Sequence, residues 1–142
     1  MVDRDDVPES FWTAFSAANR ALAAGRDDAF ARHGVAAGQS AILSRLWISD
    51  GQSPGELARA LDLATSTVTS TATKMETAGL LRRVTTDARQ VTLQLTGRGR
   101  ELEKIIDREM RTLGERALGS LTDTERAQLV RLLRQVRAGL TG

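Results

Sequence analysis

The chain has 142 residues, 41% of them hydrophobic and 27% charged, which is enough apolar material for one core and too little for two ordinary domains. Its 20 Lys and Arg against 18 Asp and Glu leave a net charge of +2, so a polyanionic partner has to be argued from where the charges lie. The absence of cysteine excludes a disulfide framework, a thiolate zinc site, a thiol nucleophile and a thiol redox sensor.

The acidic opening Met1-Val2-Asp3-Arg4-Asp5-Asp6 is the opposite of a basic signal peptide, and no apolar run reaches the roughly 20 residues that cross a bilayer; a cytoplasmic protein without a membrane segment is expected. After Pro8, Phe11, Phe15, Ala18 and Leu22 recur at helical spacing and predict a first helix. The stretch from Arg26 to Gly38 loses that pattern, with His33 beside Gly34 read as a surface loop residue. Ile42, Leu43, Leu46 and Trp47 resume the stripe in a second helix, expected to end near Asp50-Gly51. Ser53-Pro54-Gly55-Glu56 reads as a capping box with proline in the first turn, and Leu57 and Leu61 follow on one face of a short third helix.

Residues Thr65 to Thr73 contain seven hydroxyl side chains in nine positions, all mediocre helix formers that would suit a strand as well. Spacing decides for a fourth helix, because Val68, Ala72 and Met75 fall at i, i+4 and i+7 and Gly79 stands where a C-terminal cap belongs. Past Gly79 the period changes to two. Val91, Leu93 and Leu95 alternate with polar residues, Leu80 to Thr85 is a partner strand, and Thr86-Asp87-Ala88-Arg89 turns between them. Thr96 caps a long fifth helix with Leu102, Ile105, Ile106, Met110, Leu113 and Ala117 on one face and the charge pairs Glu101/Lys104 and Asp107/Arg111 on the other. Thr122-Asp123-Thr124-Glu125 is a second capping box, opening a sixth helix with Leu129, Leu132, Leu133, Val136 and Leu140.

Two short helices followed by a hairpin make a winged helix-turn-helix, and the fold class is mostly α with a small β-hairpin wing. A helix about 12 Å across fits the major groove of B-DNA, so the fourth helix must be held out by the third. Its outward Thr65, Ser66, Thr67, Thr69, Ser70, Thr73 and Lys74 offer hydroxyls and one cation to phosphates and base edges. The hairpin brings Arg89 at its tip, with Arg82 and Arg83 at its base, toward the flanking minor groove. Charge follows the same plan. Lys74, Arg82, Arg83, Arg89, Arg98 and Arg100 against Glu76 and Asp87 give residues 74–100 a net +4, whereas residues 1–30 carry −3.

These segments resemble the multiple-antibiotic-resistance-regulator (MarR) family of bacterial transcription factors over nearly the whole chain. Ser53-Pro54-Gly55-Glu56-Leu57-Ala58 is similar to the family's first helix-turn-helix segment, and Ser66-Thr67-Val68-Thr69, Lys74-Met75-Glu76 and Ala78-Gly79-Leu80-Leu81 to its recognition helix and exit. Asp87-Ala88-Arg89 resembles the wing signature and Leu95-Thr96-Gly97-Arg98-Gly99 the strand-to-helix joint. The resemblance implies that Arg89 is the wing's DNA contact, that Asp87 orients it, and that an obligate homodimer joined through terminal helices straddles a pseudo-palindrome. It also implies a single domain over residues 1–142, with a lobe at about 40–96 and dimerisation helices at 8–32 and 97–140. Two positions depart from the pattern. Ala64 stands where Ser or Asp often caps the recognition helix, which passes that role to Thr65, and Ser70 stands where arginine is common.

Enzymatic readings find no convergent set: there is one histidine, no tyrosine and no phosphate loop, and Gly97-Arg98-Gly99 lacks the third glycine and the βαβ unit of a dinucleotide site. No metal site or cofactor is expected. Phe11, Trp12, Phe15, Trp47 and Met110 suit core and dimer packing; Trp12, Phe15 and Trp47 are also candidates for a pocket taking a small aromatic or apolar effector. The expectation is therefore a homodimeric, sequence-specific repressor binding double-stranded DNA and relieved by an effector. The alternative is a winged-helix protein-interaction module that no longer binds DNA.

Overall fold

The computed structural model describes residues 7–142, so the acidic opening Met1–Asp6 lies outside the described residues. The order is α1 (Val7–Arg32), α2 (Ala37–Ile48), α3 (Pro54–Leu61), α4 (Thr65–Thr77), β1 (Leu81–Thr85), β2 (Val91–Leu95), α5 (Gly97–Ala117) and α6 (Asp123–Thr141). One core joins Phe30, Val35, Ile42, Leu43, Leu46, Leu57, Val68, Met75, Leu81, Leu93, Leu102 and Ile106 across α1 to α5 and the hairpin.

Helix α1 continues through Arg26, where the apolar pattern of the sequence fades, and buries Ala29 and Phe30. The stripe is still present, since Phe15, Leu22 and Ala29 are seven residues apart, but Ala23, Ala24 and Gly25 thin it out. Gly25 has a packing reason, because a Cβ there would stand 2.7 Å from Leu113 Cδ1 of α5. The helix ends as Gly34 turns left-handed (φ 75°), with Val35 N donating to Phe30 O and Gly34 N to Ala31 O, both at 3.0 Å. This is a Schellman motif closed by an apolar contact between two buried residues. The same device ends α4, where Gly79 (φ 78°) is flanked by bonds from Leu80 N to Met75 O and from Gly79 N to Glu76 O.

The turn after α2 differs from the expected glycine cap. The cap residue is Ser49 in extended conformation, and Gly51 (φ 73°) redirects the chain so that Gln52 pairs antiparallel with Leu93. The buried Gln52 side chain donates to Arg45 O and Ser49 O at 3.1 and 2.6 Å, adding a second bond to the Arg45 carbonyl that already accepts from Ser49 N and tying the loop to the helix end. Asp50 completes the joint: its Oδ1 accepts from Leu95 N at 2.9 Å and its Oδ2 from Arg100 Nη2 at 3.2 Å.

Strands β1 and β2 pair antiparallel with Leu81 opposite Leu95 and Thr85 opposite Val91. Leu93 and Leu95 point inward as expected, but Val91 is exposed, because the hairpin outruns the core before reaching it. Thr96 caps α5, accepting from Gly99 N at 3.1 Å and donating to Gly79 O at 2.6 Å. Only Leu102, Ile106 and Gly99 of α5 are buried; Ile105 and Met110 pack at the margin and Ala117 is exposed. Of its expected charge pairs, Glu101 and Lys104 meet at 3.6 Å, and no Asp107–Arg111 ion pair occurs among the described residues. Helix α6 opens with the full Thr122/Glu125 capping box yet buries none of its residues.

Candidate nucleic-acid interface

Helix α3 holds α4 by burying Leu57 and Ala58 against Val68, Ala72 and Met75. Ser53 Oγ accepts from Glu56 N at 3.1 Å, giving one half of the capping box, with Pro54 at the start. Asp62 adopts the left-handed conformation (φ 53°) and sets the turn between the helices. That turn delivers Ala64 to the N-cap of α4, with no side-chain bond. Thr65 is the first helical residue and does not take the cap over, since Ala64 O accepts the first bonds of the helix, from Thr67 N at 3.0 Å and Val68 N at 3.2 Å. The missing cap forgoes about 1 kcal/mol of helix stability.

On the outer face Thr65, Ser66, Thr67, Thr69, Ser70, Thr73 and Lys74 are all exposed, as expected. Their hydroxyls are not equally free. Thr73 Oγ1 donates to Thr69 O at 3.0 Å, so its bonding is already committed within the helix. The hydroxyls of the N-terminal half, Thr65, Ser66, Thr67 and Ser70, carry no such internal bond among the described residues.

The wing tip is a tight loop. Thr86 N donates to Gln90 O and Arg89 N to Thr86 O, both at 2.8 Å, while Thr86 Oγ1 accepts from Gln90 N at 3.2 Å. Arg89 sits at φ 59°, in the region that favours glycine, so a long cationic side chain is kept where the backbone would prefer none. Backbone conformation is thus what directs Arg89; no ion pair between Asp87 and Arg89 occurs among the described residues, although both are exposed.

The basic residues divide. Arg82 and Arg89 are exposed, and neither they nor Lys74 enter an ion pair among the described residues. Arg83 is half-buried and turned onto α4, donating through Nη2 to Thr69 O at 2.9 Å and to Thr73 Oγ1 at 2.6 Å. Arg98 donates to Ala78 O at 3.0 Å, and Arg100 pairs with Asp50. Arg83 therefore stands apart from the outward cations with which its place in the sequence groups it.

The three aromatic pocket candidates lie in different surroundings. Trp47 stacks on Phe30 with ring centroids 6.0 Å apart and donates Nε1 to Gly99 O at 3.0 Å, which makes it part of the packing between α2 and α5. Trp12 is 64% exposed and meets Phe11 edge-on. Phe15 lines an apolar groove of about 700 Å³ with Leu22, Leu113, Leu129 and Leu133, which neither tryptophan enters. His33 is not a free loop residue: its Nε2 lies 2.8 Å from Glu109 Oε1, and Arg32 binds the other carboxylate oxygen. Those two hydrogen bonds, Arg32's first, hold the Glu109 carboxyl below its ordinary pKa. Sequence reasoning missed this junction because 76 residues separate its ends. Among the described residues no cluster of His, Asp and Glu could hold a metal ion, and no helix is long and apolar enough to cross a membrane.

A sequence model of the MarR family matches residues 36–91. Comparison with curated proteins finds no match. Among solved structures the chain is similar to the YusO protein of Bacillus subtilis, at 19% identity and a TM-score of 0.82 over 96% of this chain and 99% of that one. A MarR family protein of Bacillus stearothermophilus is 26% identical with a TM-score of 0.77, covering 100% of this chain and 99% of that one. The MarR family protein Rv2887 of Mycobacterium tuberculosis, solved in complex with DNA, is 24% identical with a TM-score of 0.71, covering 87% of this chain and 94% of that one. It has also been solved with p-aminosalicylic acid. The matched segment spans the α2–α4 core, the hairpin turn and the start of β2, and six helices with one antiparallel hairpin complete the fold: residues 36–91 are similar to the MarR family of transcriptional regulators, and the chain as a whole shares the winged-helix fold of the MarR structures.

Proposed function

We propose that the protein is a homodimeric, sequence-specific DNA-binding repressor working in the cytoplasm. The observation that carries this reading is the exposed hydroxyl face of α4 beside a wing whose tip holds Arg89 in a left-handed conformation. Each α4 enters a major groove, with Thr65, Ser66, Thr67 and Ser70 toward base edges and Lys74 and Arg82 on phosphates. Arg89 enters the neighbouring minor groove, where narrow A·T-rich sequence deepens the negative potential. The two half-sites lie about one turn, ~10 bp, apart.

The second copy is required by the terminal helices. Leu129, Leu132, Leu133, Val136 and Leu140 of α6 and Phe11, Trp12, Phe15 and Leu22 of α1 are all exposed in one protomer. So much contiguous apolar surface, on an α6 that buries nothing within its own protomer, supports an interface between copies of the chain. The Phe15 groove between α1, α5 and α6 is the place for a small aromatic effector, a reading supported by the relative solved with p-aminosalicylic acid. An effector there acts by preferring one separation of the two α4 helices.

Arg89→Ala tests the wing. The change leaves the turn backbone as it is and the core untouched, so melting should stay at the wild-type temperature while affinity for a selected duplex falls by about 1–3 kcal/mol for each guanidinium withdrawn from the groove. Arg89→Gly, which relieves the backbone strain, should weaken binding equally, with the same or higher stability. Wild-type affinity in both variants would remove Arg89 from the interface.

A further inference from the structure

Arg83 differs from the outward Arg82 and Arg89 of the wing in that its bonds run inward. Its Nη2 donates to Thr69 O at 2.9 Å and to Thr73 Oγ1 at 2.6 Å, and its Nη1 lies 3.7 Å from Glu76 Oε1. Glu76 closes the link from the other side, since its Oε2 accepts from the Arg83 backbone N–H at 3.1 Å. A single side chain of β1 thus bonds three successive turns of α4, at residues 69, 73 and 76. The arginine fork is suited to this because its planar donors satisfy several acceptors in fixed directions.

From this geometry we infer that Arg83 is a positioning residue that locks the wing to the recognition helix, and is not a phosphate contact. The inference rests on the DNA-binding reading above for its consequence, though not for its geometry. The base of the hairpin is held to α4 by the joint at Gly79-Leu80 and by the shared core of Val68, Ala72 and Met75 with Leu81 and Leu93, and the brace adds polar bonds on the exposed side that set how far the wing tip stands from the helix face. Duplex binding needs both at once, α4 in the major groove and Arg89 in the minor groove. The brace also fixes the hydroxyl inventory: Thr73 Oγ1 is consumed by it, and base reading falls to the N-terminal half of α4, the part of a recognition helix that reaches base edges.

Salt dependence separates a brace from a contact. A side chain that neutralises a phosphate contributes about 0.9 to the slope of log affinity against log salt, whereas one that only orients other groups contributes nothing to it. The experiment titrates full-length wild type, Arg83→Ala, Arg83→Lys and Arg82→Ala with a duplex selected from random-sequence DNA by the wild type. Amide hydrogen exchange of β1 and β2 is followed in the DNA-free proteins. Arg83→Ala should bind about tenfold more weakly with the wild-type slope, as expected for groups coupled through direct contact. Its hairpin amides should exchange faster. Arg83→Lys should fail to restore affinity, because an ammonium cannot reach Thr69 and Thr73 as the fork does. Arg82→Ala should flatten the slope by about 0.9 for each subunit's contact. A flattened slope for Arg83→Ala, full rescue by lysine, or unchanged hairpin exchange would each overturn the inference. Should the wild type select no duplex, the regulator reading fails, and the exchange comparison still decides whether the brace exists.

Discussion

Replacing Thr69 with proline should remove about 3 kcal/mol of folding stability and abolish duplex binding. Thr69 lies in the interior of α4, between the fully buried Val68 and the fully buried Ala72. Proline there deletes the amide that bonds the preceding turn and drives its ring against the carbonyl four residues back. The helix cannot kink away, because Val68, Ala72 and Met75 are locked into α3 and the hairpin core. The Thr69 carbonyl also receives Arg83 and Thr73, so distortion spreads to the wing brace. Thr69→Ala is the control: it keeps the backbone, improves helix propensity by a few tenths of a kcal/mol and should melt at or above the wild-type temperature. Chemical denaturation of both variants reads the difference directly, and wild-type stability in the proline variant would contradict a helical Thr65–Thr77.

Leu133→Asp should convert the protein to a monomer and, through that, cost more affinity for the full operator than truncating any single outward side chain of α4 to alanine. Leu133 is 43% exposed within one protomer and lines the groove between α1, α5 and α6. Folding of the isolated chain is therefore little affected. In a two-fold dimer the substitution appears twice, placing two unpaired carboxylates in an apolar interface at several kcal/mol each. The expected dissociation constant of the dimer rises by about a thousandfold or more. Sedimentation of the variant reads the mass, and a half-site duplex keeps the DNA-binding surface testable. A variant that stays dimeric would move the interface away from this face.

What could be read from the sequence follows a physical divide. Periodicity exposed α2, α4, α5 and α6, because each buries or presents a stripe at 3.6 spacing, and it carried α4 past a run of hydroxyl residues whose propensities favour neither helix nor strand. The wing hairpin was legible in the alternation of Leu93 and Leu95. The small residues Ala23 to Gly25 hid the second half of α1, since close contact with Leu113 asks for small size and weakens the stripe that would announce it. The Gln52–Leu93 bridge has no local pattern, being a single pair fixed by the turn at Gly51.

The candidate interface was legible as an inventory of residue types and less so as a geometry. Which hydroxyls face out could be read from their offsets to Val68, Ala72 and Met75. That Arg83 folds back onto Thr69 and Thr73 could not, because Arg82 and Arg83 are adjacent cations and only the strand's alternation, placing neighbours on opposite faces, separates their fates. The left-handed Arg89 leaves no trace in composition, as nothing near it is glycine. His33 and Glu109 meet only after α1 packs on α5.

Salt titration of duplex binding by the unmodified protein tests the central claim most directly. With about five phosphates neutralised by the dimer, Lys74 and Arg82 of both copies accounting for most of them, the plot of log affinity against log salt should fall with a slope near −4 to −5. A flat plot would contradict a DNA-binding role and assign the same winged helix to protein contacts.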